Sequence, residues 1–97
     1  YTIRSRNYSF DNAEVDIVAE KDGMLVFVEV KARKYEFLSD PYQLVPMKKQ
    51  RQIIKAADGY LKEHDLGNES RFDVMIFIIN KKQKNLEHIE DAFYPTI

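Results

Sequence analysis

Cysteine is absent from the 97 residues, and its absence excludes disulfide cross-links and thiolate metal sites. That fits a reducing compartment, with the cytoplasm as the expected location. No apolar run approaches the roughly 18 residues of a membrane span, so no membrane partner is expected, and no secretory leader is visible. Charge of one sign is missing too: the formal net charge is -1, far from the strongly basic balance of many nucleic-acid binders. The two histidines, His64 and His88, are too isolated in sequence to point to a metal site. Nothing resembles a Gly-rich nucleotide loop, a nucleophilic triad or an internal repeat. What remains is a chain with 44% hydrophobic and 32% charged residues, globular in balance and long enough for a single core, so one domain over residues 1–97 is expected.

The most informative stretch runs over residues 14–31. Two alternating apolar runs flank Asp22-Gly23, a pair that favours a two-residue type I′ turn because both positions need positive φ. With that turn Lys21 faces Met24, and the register follows. One face then stacks Ala19 on Val26, Ile17 on Val28 and Val15 on Val30. The other stacks Val18 on Phe27, Asp16 on Glu29 and Glu14 on Lys31, and a one-residue slip would mix the two sets. Opposed residues have Cβ atoms about 4.5–5.5 Å apart. Two carboxylates that close, at an effective dielectric of about 20, repel by roughly 3 kcal/mol, enough to draw a proton or a cation between them. Hard oxygen ligands with no nearby His or Cys suit Mg2+ or Mn2+ rather than zinc. A divalent ion beside a lysine is the chemistry of phosphodiester cleavage: the ion activates water and polarises phosphate, and Lys31 orients that water or stabilises developing charge. The competing interpretation is a solvated hairpin face on which Glu14 and Lys31 merely pair.

Here the sequence resembles a known family. Asp16 followed by Glu29-Val30-Lys31 is similar to the Asp…Glu-x-Lys signature of the restriction-endonuclease-like superfamily. More narrowly, five blocks in order resemble the YraN family of small bacterial proteins: Glu14-Val15-Asp16-Ile17-Val18, Val26-Phe27-Val28-Glu29-Val30-Lys31-Ala32-Arg33, Lys49-Gln50, Arg71-Phe72-Asp73-Val74 and His88-Ile89-Glu90-Asp91-Ala92-Phe93. The resemblance implies an α/β fold with a mixed central sheet and flanking helices, similar to Holliday-junction resolvases. It also implies the Val30 carbonyl as a further metal ligand, and an N-terminal helix with a Gly-Glu-type motif ahead of the first strand, which this chain does not include. The family's Gly-Gly before the first acid is replaced by Asn12-Ala13.

The remaining elements are read in order. Residues 1–10 alternate imperfectly as a first strand, and Asp11-Asn12 turns into the catalytic one. After Lys31 the chain is expected to leave the sheet through Ala32-Arg33-Lys34 into a loop over residues 35–42, where Tyr35, Phe37 and Tyr42 are candidates to stack on an unpaired base. Pro46 marks the first turn of a helix whose apolar stripe is Met47, Ile53, Ile54, Ala57, Tyr60 and Leu61. Gly59 reads as a mild defect inside it, and Gly67 as its left-handed stop. Residues 72–79 read as a strand buried on both faces, parallel to a neighbour because a crossover helix precedes it. A polar turn over residues 81–85 and a short last strand over residues 86–89 follow.

Charge is uneven. Residues 31–55 hold Lys31, Arg33, Lys34, Lys48, Lys49, Arg51 and Lys55 against Glu36 and Asp40, a local balance of +5 that leaves -6 for the rest. Such a segment attracts a phosphate backbone. The nucleic-acid-binding set is therefore Arg33, Lys34, Lys48, Lys49, Gln50 and Arg51, with Lys49 at the positive end of the helix as a phosphate clamp or second cation. The expected function is a metal-dependent endonuclease with Asp16 and Glu29 on Mg2+ or Mn2+, Lys31 at the attacking water, and Glu14 orienting Lys31 or widening the metal site. The substrate expected by analogy is structured or branched DNA, with DNA favoured over RNA. A non-catalytic nucleic-acid-binding module on the same fold is the alternative, an interaction domain without nucleic acid comes third, and a homodimer is left open.

Overall fold

A computed structural model describes residues 1–33, 45–82 and 84–95. Five strands form one sheet in chain order: β1 (Thr2–Phe10), β2 (Ala13–Lys21), β3 (Met24–Arg33), β4 (Ser70–Ile79) and β5 (Lys84–Phe93). A single described helix, α1 (Met47–Glu63), connects β3 to β4, and that crossover makes β3 and β4 the one parallel pair in an otherwise antiparallel sheet. The mixed α/β architecture is the expected one and is consistent with a restriction-endonuclease-like fold. No helix among the described residues is long and apolar enough to cross a membrane.

Both hairpin turns use left-handed residues. Asp22 and Gly23 have φ of 52° and 80°, and Asp11 and Asn12 have 49° and 66°, as a two-residue primed turn requires. The β2–β3 register follows from the first: Lys21 pairs with Met24, Ala19 with Val26, Val18 with Phe27 and Ile17 with Val28. The paired ladder ends there. Beyond it the expected alternation fails, because Ala13, Val15 and Val18 all lie in the main core with Leu25 and Phe27, whereas Ile17 and Ala19 pack with Val26, Val28 and Val30 on the opposite face. Positions 15 and 18 cannot share a face in a regular strand, so β2 is irregular at Asp16-Ile17 and Val15 does not stack on Val30. Its neighbour is irregular too: Asn7 has φ 52° where it would face Asp16, and the β1–β2 register shifts between Ile3 and Ser5.

Helix α1 covers β1 and β2 and buries Ile53, Ala56, Ala57 and Tyr60 on the main core. Met47, expected in that stripe, is exposed. Gly59 is no defect: a Cβ there would fall inside the Phe10 ring, so its missing side chain is what lets the helix lie on β1. The stop is Asp65 rather than Gly67, with φ 52°. The Leu66 N–H donates to the Leu61 carbonyl at 2.9 Å and the Asp65 N–H to the Lys62 carbonyl at 3.3 Å, the two bonds of a Schellman motif.

Three strand limits differ from expectation. β3 continues through Ala32 and Arg33, paired with Phe77 and Ile78. β5 is ten residues long, because Lys84 and Asn85 already pair with β4 and Ala92-Phe93 return to the main core. β4 is buried on both faces only near its start, and Phe77 and Ile79 are exposed at its far end.

The sheet also curls. Tyr1 precedes one edge strand and Glu90 lies on the other, yet the Tyr1 hydroxyl donates to Glu90 Oε1 at 3.2 Å and accepts from Arg71 Nη2 at 2.6 Å. This curl encloses the second apolar cluster, with Val26 fully buried although no described helix covers that face.

Candidate active site

The site forms where β2 parts from β3. Instead of continuing the ladder, the Val30 N–H donates to Asp16 Oδ2 at 2.8 Å, so a side chain replaces a backbone acceptor and the Asp16 carboxylate is drawn across onto β3. Glu29 is there, 4% exposed at the end of the apolar run over residues 25–28. Its carboxyl lies within hydrogen-bonding reach of Asp16. The two acids meet as the hairpin pattern anticipated, through a break in the strand rather than through a regular pair.

Two ammonium groups face the same oxygen. Lys31 Nζ is 3.6 Å and Lys49 Nζ 3.9 Å from Glu29 Oε2, the first from the same strand and the second from the first turn of α1. Burial nevertheless pushes the Glu29 carboxyl up to about 7, reinforced by its hydrogen bond to Asp16 and by Asp16's charge, and the two lysines offset this only in part. A buried acid that holds its proton to near neutrality is an undercompensated negative site. The donor set is oxygen only, which fits a hard divalent ion.

The other expected residues divide. Glu14 is exposed and makes no hydrogen bond or ion pair among the described residues, and the irregularity at Asp16-Ile17 takes it out of register with Lys31; it neither orients that lysine nor joins the acids. Among the described residues no group of three His, Cys, Asp or Glu side chains could hold a metal. Gln50 is not a surface contact. It is 2% exposed, and its Nε2 donates to the Val45 carbonyl at 2.8 Å, tying the start of α1 to the segment before it. Lys48 and Arg51 are exposed on α1, and Arg33 Nη1 donates to the adjacent Ala32 carbonyl at 2.8 Å. Lys55 is engaged with Asp11 at 2.9 Å. Lys34, Tyr35, Phe37 and Tyr42 lie outside the described residues.

The helix start breaks local rules in one direction. It has no side-chain cap and no acid in its first turn, while Lys48 and Lys49 stand at its positive end. Each like charge there costs about 0.3–1 kcal/mol, so stability does not explain them.

A second polar cluster escaped the sequence reading. Asp73 is fully buried and accepts from Arg71 Nε and Nη2 at 2.9 Å each, from the Asp91 N–H at 3.0 Å and from His88 Nε2 at 2.6 Å. Burial alone would raise its carboxyl, but the bonds from Arg71, Asp91 and His88 outweigh that and hold it below the usual range. The signal was present: an aspartate inside an apolar strand needs partners, and Arg71, two residues earlier, shares its face. It lies on the face opposite α1.

Comparison with known proteins adds the following. Residues 1–77 match the model of a family described as "Uncharacterised protein family UPF0102". A UPF0102 protein of Phocaeicola vulgatus is 41% identical over 97 residues, which is all of this chain and 80% of the relative. Another from Christiangramia forsetii is 39% identical over 94 residues, 97% of this chain and 79% of the relative. One from Myxococcus xanthus is 39% identical over 94 residues, 96% and 75%.

Proposed function

This chain belongs to the UPF0102 family, the YraN family whose blocks its sequence carries, and on that premise we propose that it is a metal-dependent endonuclease acting on structured or branched DNA. One observation carries this reading: the Asp16 carboxyl and two lysines, contributed by β2, β3 and α1, converge on the buried carboxyl of Glu29. Stability alone does not call for that convergence, since apolar residues at these positions would pack without a charge burden.

Asp16, Glu29 and the Val30 carbonyl would hold Mg2+ or Mn2+. When bound, such an ion lowers the pKa of water and polarises a phosphoryl oxygen. The chain's own groups do the rest. The Val30 N–H orients Asp16, and burial keeps bulk water from Glu29. Lys31, 22% exposed and 3.6 Å from Glu29, would orient the attacking water or stabilise charge on the phosphate. Lys49, in the first turn of α1, would serve as a phosphate clamp, with Lys48 and Arg51 as further basic groups along α1 and Arg33 at the end of β3. Binding through them is sequence-independent and salt-sensitive.

The non-catalytic alternative rests on a specific observation, the absence of a third acid beside Asp16 and Glu29 among the described residues. A cleavage screen decides between the two. With Mn2+, wild type is expected to cut at least one of duplex, single-stranded, flapped and four-way DNA, and Lys31→Ala to bind the same substrate with its turnover reduced by roughly a hundredfold or more. Binding with no metal-dependent product on any substrate contradicts the enzyme reading, and product that persists in Lys31→Ala contradicts the role of Lys31.

A further inference from the structure

Resting on the reading of Asp16 and Glu29 as a metal site, we infer that Lys49 is an exchangeable internal cation: it neutralises Glu29 while no metal is bound and is released to a substrate phosphate when one arrives. Metal and nucleic-acid phosphate then load the site together.

The geometry separates the two lysines. Both approach Glu29 Oε2, an atom a metal bound by Glu29 would contest. Lys31 is the nearer, and its backbone is held in the β3–β4 ladder opposite Ile76. Lys49 comes from a different element, sits at 3.9 Å, the outer limit of an ion pair, and has the more exposed side chain, 35% against 22%. Its backbone cannot follow a displaced side chain, because the adjacent Gln50 is buried and bonded to Val45 through its side chain and to Pro46 through its N–H. The flexible four-carbon stem is therefore the part that moves. A divalent ion on the acids repels both ammonium groups, and the one with the longer contact and open solvent beside it gives way at lower cost. Lys48 stands beside Lys49 in the first turn of α1, whose start has no side-chain cap and no acid among the described residues, so a phosphate drawn to that positive helix end meets two ammonium groups and a favourable dipole at once. Coupling of this kind is reciprocal: if metal frees Lys49 for phosphate, phosphate tightens metal by the same factor.

Mn2+ titration by calorimetry at pH 8.5, where proton competition is small, tests this on wild type, Lys49→Met and Lys49→Arg, each with and without a short DNA duplex carrying phosphorothioate linkages. Lys49 is partly exposed and lies outside the apolar core, so these changes leave that core intact. Without DNA, Lys49→Met is expected to bind Mn2+ roughly tenfold tighter than wild type, within the usual range of coupling between sites. Adding the duplex tightens Mn2+ several-fold in wild type and in Lys49→Arg, and leaves Lys49→Met unchanged. Unaltered or weaker Mn2+ binding in Lys49→Met, or DNA coupling that survives in it, overturns the exchange while the metal site stands. Failure of wild type to bind Mn2+ in either condition removes the metal reading itself and the inference with it.

Discussion

At Glu29, burial and a second carboxyl keep a proton on a side chain that would release it in water at pH 7. The folded-state value of about 7 lies above the ordinary 4.5. The metal-free protein therefore takes up a proton on folding between those values, and its stability falls as pH rises through that window, by roughly 3 kcal/mol at most. Below the window both states are protonated and above it both are ionised, so the slope is confined to it. Melting temperatures measured in chelator from pH 4.5 to 8 are expected to decline for wild type and to flatten in Glu29→Gln. A saturating divalent ion reverses the slope, because it binds the ionised form. A pH profile identical in wild type and Glu29→Gln would mean that Glu29 is an ordinary surface acid. That Asp16 and Glu29 would meet was legible from Asp22-Gly23 and the alternation around it. That Glu14 would turn away was not, since nothing in the residue types at Asp16-Ile17 announces a break in the strand.

The elements were readable wherever a local pattern decided them, and less so where a tertiary contact did. The helix of residues 47–63 declared itself by period and by Pro46, and the parallel pairing of β3 and β4 by the crossover between them. Gln50 and Gly59 did not, because polarity argued for the surface in one case and helix propensity for weakness in the other. In each the neighbour decides: the Val45 carbonyl supplies the partner that a buried amide needs, and the Phe10 ring occupies the space of a missing Cβ. This makes Gly59→Ala diagnostic. Propensity alone would stabilise the helix by about 1 kcal/mol. Insertion into the Phe10 ring costs about 1–3 kcal/mol, so net destabilisation is expected in urea unfolding, with partial rescue when Phe10→Leu is added. A stabilised Gly59→Ala would show that α1 does not rest on β1 as described. The limits of β3 and β5 were misjudged for a related reason: charged residues such as Arg33, Lys84 and Glu90 read as loop, although an edge or a sheet end accommodates them with their heads in water.

Over the whole molecule, two polar constellations occupy opposite faces of one curled sheet. On the face away from α1, buried Asp73 ties β4 to β5, and its partner Arg71 reaches Tyr1 and Glu90, 3.3 Å away, so that residues near both sheet edges meet over the smaller apolar cluster. Every oxygen of Asp73 is satisfied there, which is how a structural cluster differs from a reactive one. On the α1 face compensation is incomplete: among the described residues Glu29 has ammonium groups at 3.6 and 3.9 Å, and burial together with the neighbouring Asp16 carboxyl outweighs them. The Asp73 cluster became evident only in the folded sheet, whereas Asp22-Gly23 and the alternation around it pointed to the acids on the α1 face, where the charge of Glu29 is only partly compensated. The central claim is that this second constellation takes a divalent cation, and calorimetric titration of Mn2+ into wild type and Asp16→Asn at pH 8 tests it most directly. The account predicts one site in wild type and affinity at least tenfold weaker in Asp16→Asn, as loss of one of two anionic ligands implies; equal binding by the two proteins, or none by either in the presence of DNA, would contradict it.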